Sequence, residues 1–114
     1  MKAVFVELPA FSRHRAIYLD DAAFARLQME MMKAPLSGDL IRETGGLRKI
    51  RVADPRRGKG KRGGLRLIYF WWEPGARFWL FTVYDKDEAD DLTAAQRKSL
   101  RAMIKAELDA RTKS

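Results

Sequence analysis

The sequence predicts an α+β domain in which a mostly antiparallel sheet carries N-terminal helices and a C-terminal helix. Strand patterns and helix patterns occupy separate blocks of the chain, which is typical of α+β proteins rather than of alternating folds. Glycine- and proline-rich turns separate three successive strand patterns in the second half. With 114 residues, 46% of them hydrophobic, the chain can bury one core. We therefore expect a single domain over residues 1–114.

The N-terminal third contains one strand pattern followed by two helix patterns. β-branched and aromatic side chains in "KAVFVEL" predict a strand over residues 2–7, which Pro9 ends. A short helix is expected over residues 11–18. In "DDAAFARLQMEMMKAP" large apolar residues recur at helical spacing, either of the first two aspartates can cap the helix, and Pro35 follows its end. We expect a second helix there.

The second half begins with a connection, "LSGDLIRETGG", and continues with three strands. The strand patterns are "LRKIRVA", "LRLIYFWW" and "RFWLFTVY", and the last two flank a turn at Pro74 and Gly75. The loop "DPRRGKGKRGG" joins the first two strands as an antiparallel hairpin. A final helix is predicted in "TAAQRKSLRAMIKAELDAR", where Thr93 and Gln96 fit a capping box. We expect the helices to form one layer on the sheet.

The positive charge of the chain is concentrated in one region. The formal net charge is +8, and ten lysines and arginines lie between Arg42 and Arg66, against only two acidic residues. A soluble domain with a clustered positive charge usually binds an anionic polymer, of which nucleic acid is the commonest. The charge therefore predicts a phosphate-bearing partner.

Several classes of protein are disfavoured by composition. No apolar run is long enough for a transmembrane helix, and the N-terminal apolar stretch is broken by Glu7 and Pro9 before it could form a signal peptide. We expect a cytoplasmic protein that does not bind membranes. Cysteine is absent and only one histidine is present, which argues against a zinc site and thiol chemistry. We expect neither a metal nor a cofactor.

Three cations are predicted to share one surface of the sheet. Alternation in "LRKIRVA" places Lys49 and Arg51 on the same face of their strand. Arg66 interrupts the most apolar strand, where an unpaired guanidinium is costly to bury. Because the hairpin makes the two strands neighbours, we expect a concave surface that grips phosphate.

Two alternatives without a role in ligand binding stay open for these cations. They can form a solvated polar face, and Arg66 can pair structurally with an acidic residue. The candidate acids are Glu43, Asp85 and Asp87. Among the many aromatic residues, most are expected in the core; Tyr84, at a strand end close to Lys86, is the best candidate to stack on a nucleobase.

The motifs of the second half, in their order and spacing, resemble a known family. "GGLRKIRVA", the basic glycine-rich loop, "GGLRLIYFW" and "FTVYDKDEADDLTAAQRKSL" are similar to the RelE/HigB superfamily of type II toxins, and most to its HigB-type branch. The resemblance covers about residues 4–103. It implies a ribosome-dependent endoribonuclease, an mRNA interferase, that inhibits translation by cleaving mRNA. It also implies a cognate antitoxin, expected to be a small helix-turn-helix DNA-binding protein.

The resemblance assigns roles to residues that the pattern had already singled out. The catalytic positions of the family fall on Lys49, Arg51, Arg66 and Lys86. Where RelE-type toxins have a base-stacking tyrosine, this chain has Leu92, so Tyr84 is our substitute. Arg48 and the loop cations complete the expected substrate-binding set. The loop cations, which we expect to grip ribosomal RNA, are Arg56, Arg57, Lys59, Lys61 and Arg62.

The residue types suit RNA cleavage by attack of the ribose 2′-oxygen on the neighbouring phosphate. Arginine keeps its proton at any ordinary pH, whereas a lysine among other cations gives it up more readily. Lys49 is therefore our hypothetical general base. We expect Arg51 and Arg66 to hold the scissile phosphate and Lys86 to act as an acid or a second clamp.

Two other functions are compatible with a basic domain. The first is a non-catalytic RNA- or ribosome-binding module, in which the same cations only bind. The second is a DNA-binding protein, but the sequence has no helix-turn-helix pattern and no recognition helix with base-reading side chains.

Overall fold

Five strands and three helices form the described part of the chain. The computed structural model describes residues 2–54, 64–86 and 93–112. In chain order the elements are β1 (Val4–Glu7), α1 (Pro9–Tyr18), α2 (Asp21–Lys33), β2 (Asp39–Leu40), β3 (Arg48–Val52), β4 (Leu65–Trp72), β5 (Arg77–Asp85) and α3 (Ala94–Thr112). A short 3₁₀ turn, Glu73–Gly75, joins β4 to β5. None of the helices in these ranges is long and apolar enough to cross a membrane.

The strands form one sheet in the order β1-β5-β4-β3-β2. β2, β3, β4 and β5 pair with their neighbours in antiparallel fashion, and β1 pairs with β5 in parallel. The predicted α+β class, with N-terminal helices and a C-terminal helix, is confirmed. The strand β2 was expected to be part of a connection, because a strand of two residues is too short to produce an alternating pattern.

Helices cover both faces of the sheet, so the expectation of one helical layer is wrong. On one face α1 and α2 contribute Phe11 and Phe24 to a core that includes Leu67 and Leu80. On the other face α3 inserts Ile104 into a second core with other strand residues. The physical reason lies in β4 and β5, which are apolar on both faces and must be covered on both.

The start of each helix is marked by a residue that suits it: a proline in α1, and side-chain caps in α2 and α3. Pro9 opens α1, where its missing N–H is not needed. The carboxylate of Asp20 accepts a hydrogen bond of 2.7 Å from the backbone N–H of Ala23 at the start of α2. The predicted capping box of α3 is present: Thr93 N–H donates to Gln96 Oε1 at 2.8 Å, and Gln96 N–H donates to Thr93 Oγ1 at 3.1 Å.

One buried tyrosine attaches the segment between α2 and β2 to the sheet. The hydroxyl of Tyr69, on β4, donates to the carbonyl of Pro35 at 2.8 Å and accepts from the N–H of Gly38 at 3.1 Å. Gly38 packs closely against Tyr69: an added Cβ would lie 3.0 Å from the Tyr69 ring and hydroxyl, so the tyrosine would have to shift by a few tenths of an ångström. Burial raises the pKa of the Tyr69 phenol above its ordinary value of 10.0.

The replacement Tyr69→Phe tests this attachment. It leaves the buried Gly38 N–H without its acceptor, so we expect the free energy of unfolding at pH 7 to fall by about 1 to 3 kcal/mol. The variant should also lose less stability above about pH 10. In the wild type the unfolded phenol ionises there, whereas the folded phenol, with its raised pKa, stays protonated, so rising pH favours unfolding.

Urea unfolding of both proteins at pH 7 and at pH 10.5 measures the two effects. Far-UV circular dichroism before unfolding checks that the variant keeps the native fold. Equal stability at pH 7 would show that the hydroxyl does not hold the connection.

Candidate functional site

The strand register places three of the candidate residues in one row across the sheet. Arg51 on β3 lies directly opposite Arg66 on β4, and Arg66 lies directly opposite Tyr84 on β5. Side chains directly opposite each other point to the same face, with Cβ atoms about 4.5 to 5.5 Å apart. The row therefore runs over three neighbouring strands on a single face.

An irregularity between β4 and β5 brings Tyr84 into this row. Tyr69 pairs with Leu80, but the preceding residue Ile68 pairs with Thr82, so Phe81 is an extra residue in β5. In a regular ladder Phe81 would pair with Ile68 and Arg66 would lie opposite Val83, so Tyr84 would face the other side of the sheet. No glycine or other marker in "RFWLFTVY" signals this bulge, so the sequence could not predict it.

Lys49 lies beside the row on the same face. It is opposite Ile68, which belongs to the α3-facing core, and it precedes Arg51 by two residues on β3. Alternate residues of a strand are about 7 Å apart. Lys49 and Arg66 are half-buried and Arg51 is exposed. We call Lys49, Arg51 and Arg66 the basic patch; the structure brings them together on the face that α3 covers in part.

Arg66 has no carboxylate partner in the part of the chain that the structure describes. Its Nη1 donates to the carbonyl of Leu65 at 3.2 Å, and the described ion pairs involve other residues. Asp85 lies opposite Leu65, on the other face, and so cannot pair with Arg66. Glu43 makes no described ion pair, and Asp87 lies outside the described residues.

Two arginines directly opposite each other repel, since like charges at opposed positions of a sheet are destabilising. Arg51 and Arg66 are such a pair. This repulsion lowers the stability of the free protein. An anion bound between the two guanidinium groups would offset it, because each group would then face a negative charge. The chemistry that the patch can perform is therefore binding of an anion and stabilisation of added negative charge.

Arg48 lies apart from the other candidates. It is opposite Tyr69, on the face that carries α1 and α2. Its Nη1 donates to the carbonyl of Gly38 at 2.7 Å and to that of Leu36 at 3.0 Å. These contacts hold the connection before β2, so the position of Arg48 argues against the substrate-binding role that we expected, and a stabilising role replaces it.

The remaining candidates lie at or beyond the ends of the described strands. Lys86 is exposed and directly follows β5. Leu92 and the five loop cations lie outside the described residues. Those cations are Arg56, Arg57, Lys59, Lys61 and Arg62.

A cleft adjoins the basic patch and shares Lys49 with it. Its volume is about 480 Å³. Sequence reasoning missed Arg97, which reaches this cleft from the start of α3 and is half-buried there. The placement of Arg97 depends on which face of the sheet α3 covers, and the sequence did not predict that face. The cleft is lined by Asp39, Leu40, Ile41, Arg42, Glu43, Lys49 and Arg97.

No group of three or more histidine, cysteine, aspartate or glutamate residues within the described ranges is arranged to hold a metal ion.

The replacement Arg66→Ala separates a structural role from a role in anion binding. A structural ion pair would cost about 3 to 5 kcal/mol when broken. Because Arg66 faces another arginine and no described acid, we expect a change below about 1 kcal/mol, or a small gain in stability. Urea unfolding measures the difference. Arg26→Ala, which removes an exposed arginine from α2, is the control, and a loss of several kcal/mol for Arg66→Ala alone would contradict this prediction.

Comparison with solved structures shows the fold class to which this arrangement belongs. No protein-family model matches the chain. A double arginine-to-alanine mutant of the E. coli toxin RelE, in the free state, is 15% identical, with a TM-score of 0.54 over 79% of this chain and 90% of that one. The isolated E. coli RelE toxin is 11% identical, with a TM-score of 0.53 over 90% and 99% of the two chains. The intact E. coli RelBE toxin–antitoxin complex is 15% identical, with a TM-score of 0.52 over 74% and 96%. The chain therefore has a RelE-like fold.

Proposed function

We propose that the protein is the toxin of a type II toxin–antitoxin system and that it cleaves mRNA on the ribosome as an endoribonuclease. The observation that carries the proposal is the opposed pair Arg51 and Arg66, which has no described acidic partner, on a fold that resembles RelE. The likeness to solved structures supports a toxin of this fold. The HigB-type assignment rests on the sequence resemblance alone.

The proposed reaction needs no atom from outside the RNA. The ribose 2′-oxygen attacks the adjacent phosphorus and forms the new P–O bond, and its proton passes to a base. The bond from phosphorus to the 5′-oxygen then breaks, and that oxygen takes up a proton. The products are a 2′,3′-cyclic phosphate and a 5′-hydroxyl. Between the two steps the phosphorane carries extra negative charge, which positioned cations stabilise.

The basic patch, together with Lys86 and Tyr84, supplies groups for each part of this reaction. Arg51 and Arg66 approach one anion from neighbouring strands and are suited to hold the scissile phosphate. Arginine does not exchange its proton at ordinary pH, so Lys49 is the member of the patch that we assign as the base. Lys86 is assigned as the acid or as a second clamp. Tyr84, at the end of the row, is assigned to stack on a base next to the cleaved bond.

The geometry of the patch supports the proposed dependence on the ribosome. Arg51 is exposed, whereas Arg66 and Tyr84 are half-buried beside the α3-facing core. Cations at such a site attract phosphate but do not set the angle of the attacking oxygen. Alignment of the reacting atoms can contribute several orders of magnitude in rate. We assign this alignment to the ribosome, and we assign contacts with ribosomal RNA to the loop cations, Arg56, Arg57, Lys59, Lys61 and Arg62.

The rate at which the Arg66→Ala variant cleaves mRNA tests the proposed reaction directly. Loss of a cation aimed at the phosphorane should lower the rate of mRNA cleavage by about 10² or more, while the fold stays intact. Cleavage of mRNA on programmed ribosomes is measured for the wild type, for Arg66→Ala and for the control Arg26→Ala, which should retain the wild-type rate.

The outcomes separate the nuclease from the non-catalytic module. A wild-type protein that binds ribosomes but cuts no RNA would establish the RNA- or ribosome-binding alternative. An Arg66→Ala protein that cuts at the wild-type rate would exclude Arg66 from the reaction.

A toxin of this kind must be inactivated in its own host, so we expect a protein partner encoded beside it. The RelBE complex among the similar structures is a toxin–antitoxin pair, which supports an antitoxin partner here; that this antitoxin is a small helix-turn-helix protein is our proposal from the sequence resemblance. Induction of this chain should arrest bacterial growth, and co-expression of the neighbouring small reading frame should restore it. Failure of every adjacent reading frame to restore growth would count against the toxin.

A further inference from the structure

The cleft beside the basic patch differs from the patch in its charge. Carboxylates of Asp39 and Glu43 line it together with cationic side chains, those of Arg42, Lys49 and Arg97. The patch contains only cations. A carboxylate repels a phosphate, so two acids in the wall make the cleft a poor phosphate site. A ligand that fits must offer both hydrogen-bond donors and hydrogen-bond acceptors.

The two carboxylates are available to such a ligand. Asp39 lies directly opposite Lys49 in the β2–β3 ladder, and Glu43 shares the cleft with the same cations. Even so, neither carboxylate forms an ion pair or a hydrogen bond with another residue in the described ranges. Both side chains are exposed to solvent in the free protein. Their oxygens are therefore acceptors that a bound group can reach without breaking an existing contact.

The loop that carries Glu43 is held in place. Thr44, which is fully buried, donates from its hydroxyl to the carbonyl of Ile41 at 2.7 Å. The N–H of Ile41 donates to the carbonyl of Leu47 at 2.9 Å. Gly45 packs on α3, since a Cβ there would lie 3.5 Å from Ile104 Cγ2. The backbone that carries Glu43 is thus held in a closed turn, so binding to its carboxylate orders the side chain but not the backbone.

Because the cleft lies beside the basic patch, the part of the RNA that can reach it is a nucleoside next to the phosphate bound at the patch. Lys49 belongs to both the basic patch and the cleft. A phosphate bound by Arg51 and Arg66 carries a nucleoside on each side. In the function proposed above, one of these bases stacks near Tyr84, at the β5 end of the row. The cleft lies on the opposite side, at β3 and β2, so we assign the other base to it. The volume of about 480 Å³ is within the usual range of small-ligand sites, about 300 to 1,000 Å³.

The donors and acceptors of the cleft match one base better than the others. Guanine is the base whose Watson–Crick edge offers two adjacent N–H donors, which a single carboxylate can accept together. Its O6 and N7 are acceptors that an arginine binds in a bidentate manner. Adenine and cytosine each offer one exocyclic amine on that edge, and uracil one ring N–H. We propose that the cleft is a guanine-binding site that selects where the RNA is cut, a proposal that rests on the function proposed above.

Nucleotide binding to the full-length protein tests this site without the ribosome. GMP, AMP, CMP, UMP and inorganic phosphate are each titrated while the backbone amide signals are followed by NMR. We expect GMP to bind at least about tenfold more tightly than the other three nucleotides, which corresponds to one good bidentate contact. GMP should shift the amides of Glu43, Lys49 and Arg97, and inorganic phosphate should shift those of Arg51 and Arg66.

The variant Glu43→Gln keeps the shape of the side chain and removes its negative charge. We expect it to lose the preference for GMP while inorganic phosphate binds as in the wild type. The matched control is Glu73→Gln, which changes an exposed glutamate in the turn between β4 and β5 and should leave the preference unchanged.

Two results would overturn the guanine site. One is equal affinity for the four nucleotides, and the other is a GMP preference that survives Glu43→Gln. In either case, phosphate-induced shifts at Arg51 and Arg66 would leave the proposed nuclease site standing. If inorganic phosphate causes no shift there, the function proposed above fails as well.

Discussion

One extra residue in the ladder between β4 and β5 determines which side chains meet on the face that α3 covers. Phe81 has no partner in β4, so the pairing of the two strands changes by one position after Tyr69. A shift of one residue reverses the face of every side chain beyond it. Because of this shift, Tyr84 lies opposite Arg66, and Val83 packs in the core with α1 and α2. The candidate site depends on this register more than on any single contact.

The strands β4 and β5 contribute side chains both to the hydrophobic cores and to the candidate site, and the polar site residues are different from the buried apolar ones. β4 and β5 bury apolar side chains on both faces, and helices cover both faces. On the face that carries α3, the polar members Arg66 and Tyr84 lie next to the buried side chains of this core, near the ends of the strands where β4 begins and β5 ends. Since the stability comes from the interior of the sheet, a repulsive pair such as Arg51 and Arg66 can persist at its border.

Sequence patterns predict those parts of the fold that depend on local periodicity. Alternation placed Lys49 and Arg51 on one face, and the capping box located the start of α3. Features that depend on tertiary packing were not predictable. The backbone carbonyls that Arg48 contacts lie ten and twelve residues before it in the chain. The bulge at Phe81 has no local marker, and the contribution of Arg97 depends on the face of the sheet against which α3 packs.

The charge pattern of the described surface suggests how one small domain can combine general and selective contacts with RNA. Phosphates are identical at every position of RNA, so in the proposed function the basic patch binds and activates any of them but does not choose among them. Choice requires donors and acceptors that meet base edges, and acidic groups are useful there because they discriminate against phosphate. Asp39 and Glu43 lie one strand away from Arg51, close enough to act on the same nucleotide but outside the row that faces the phosphate. Because the cations of the patch and the carboxylates of the cleft lie on neighbouring but separate surfaces, the carboxylates can accept from a base without repelling the phosphate at the patch.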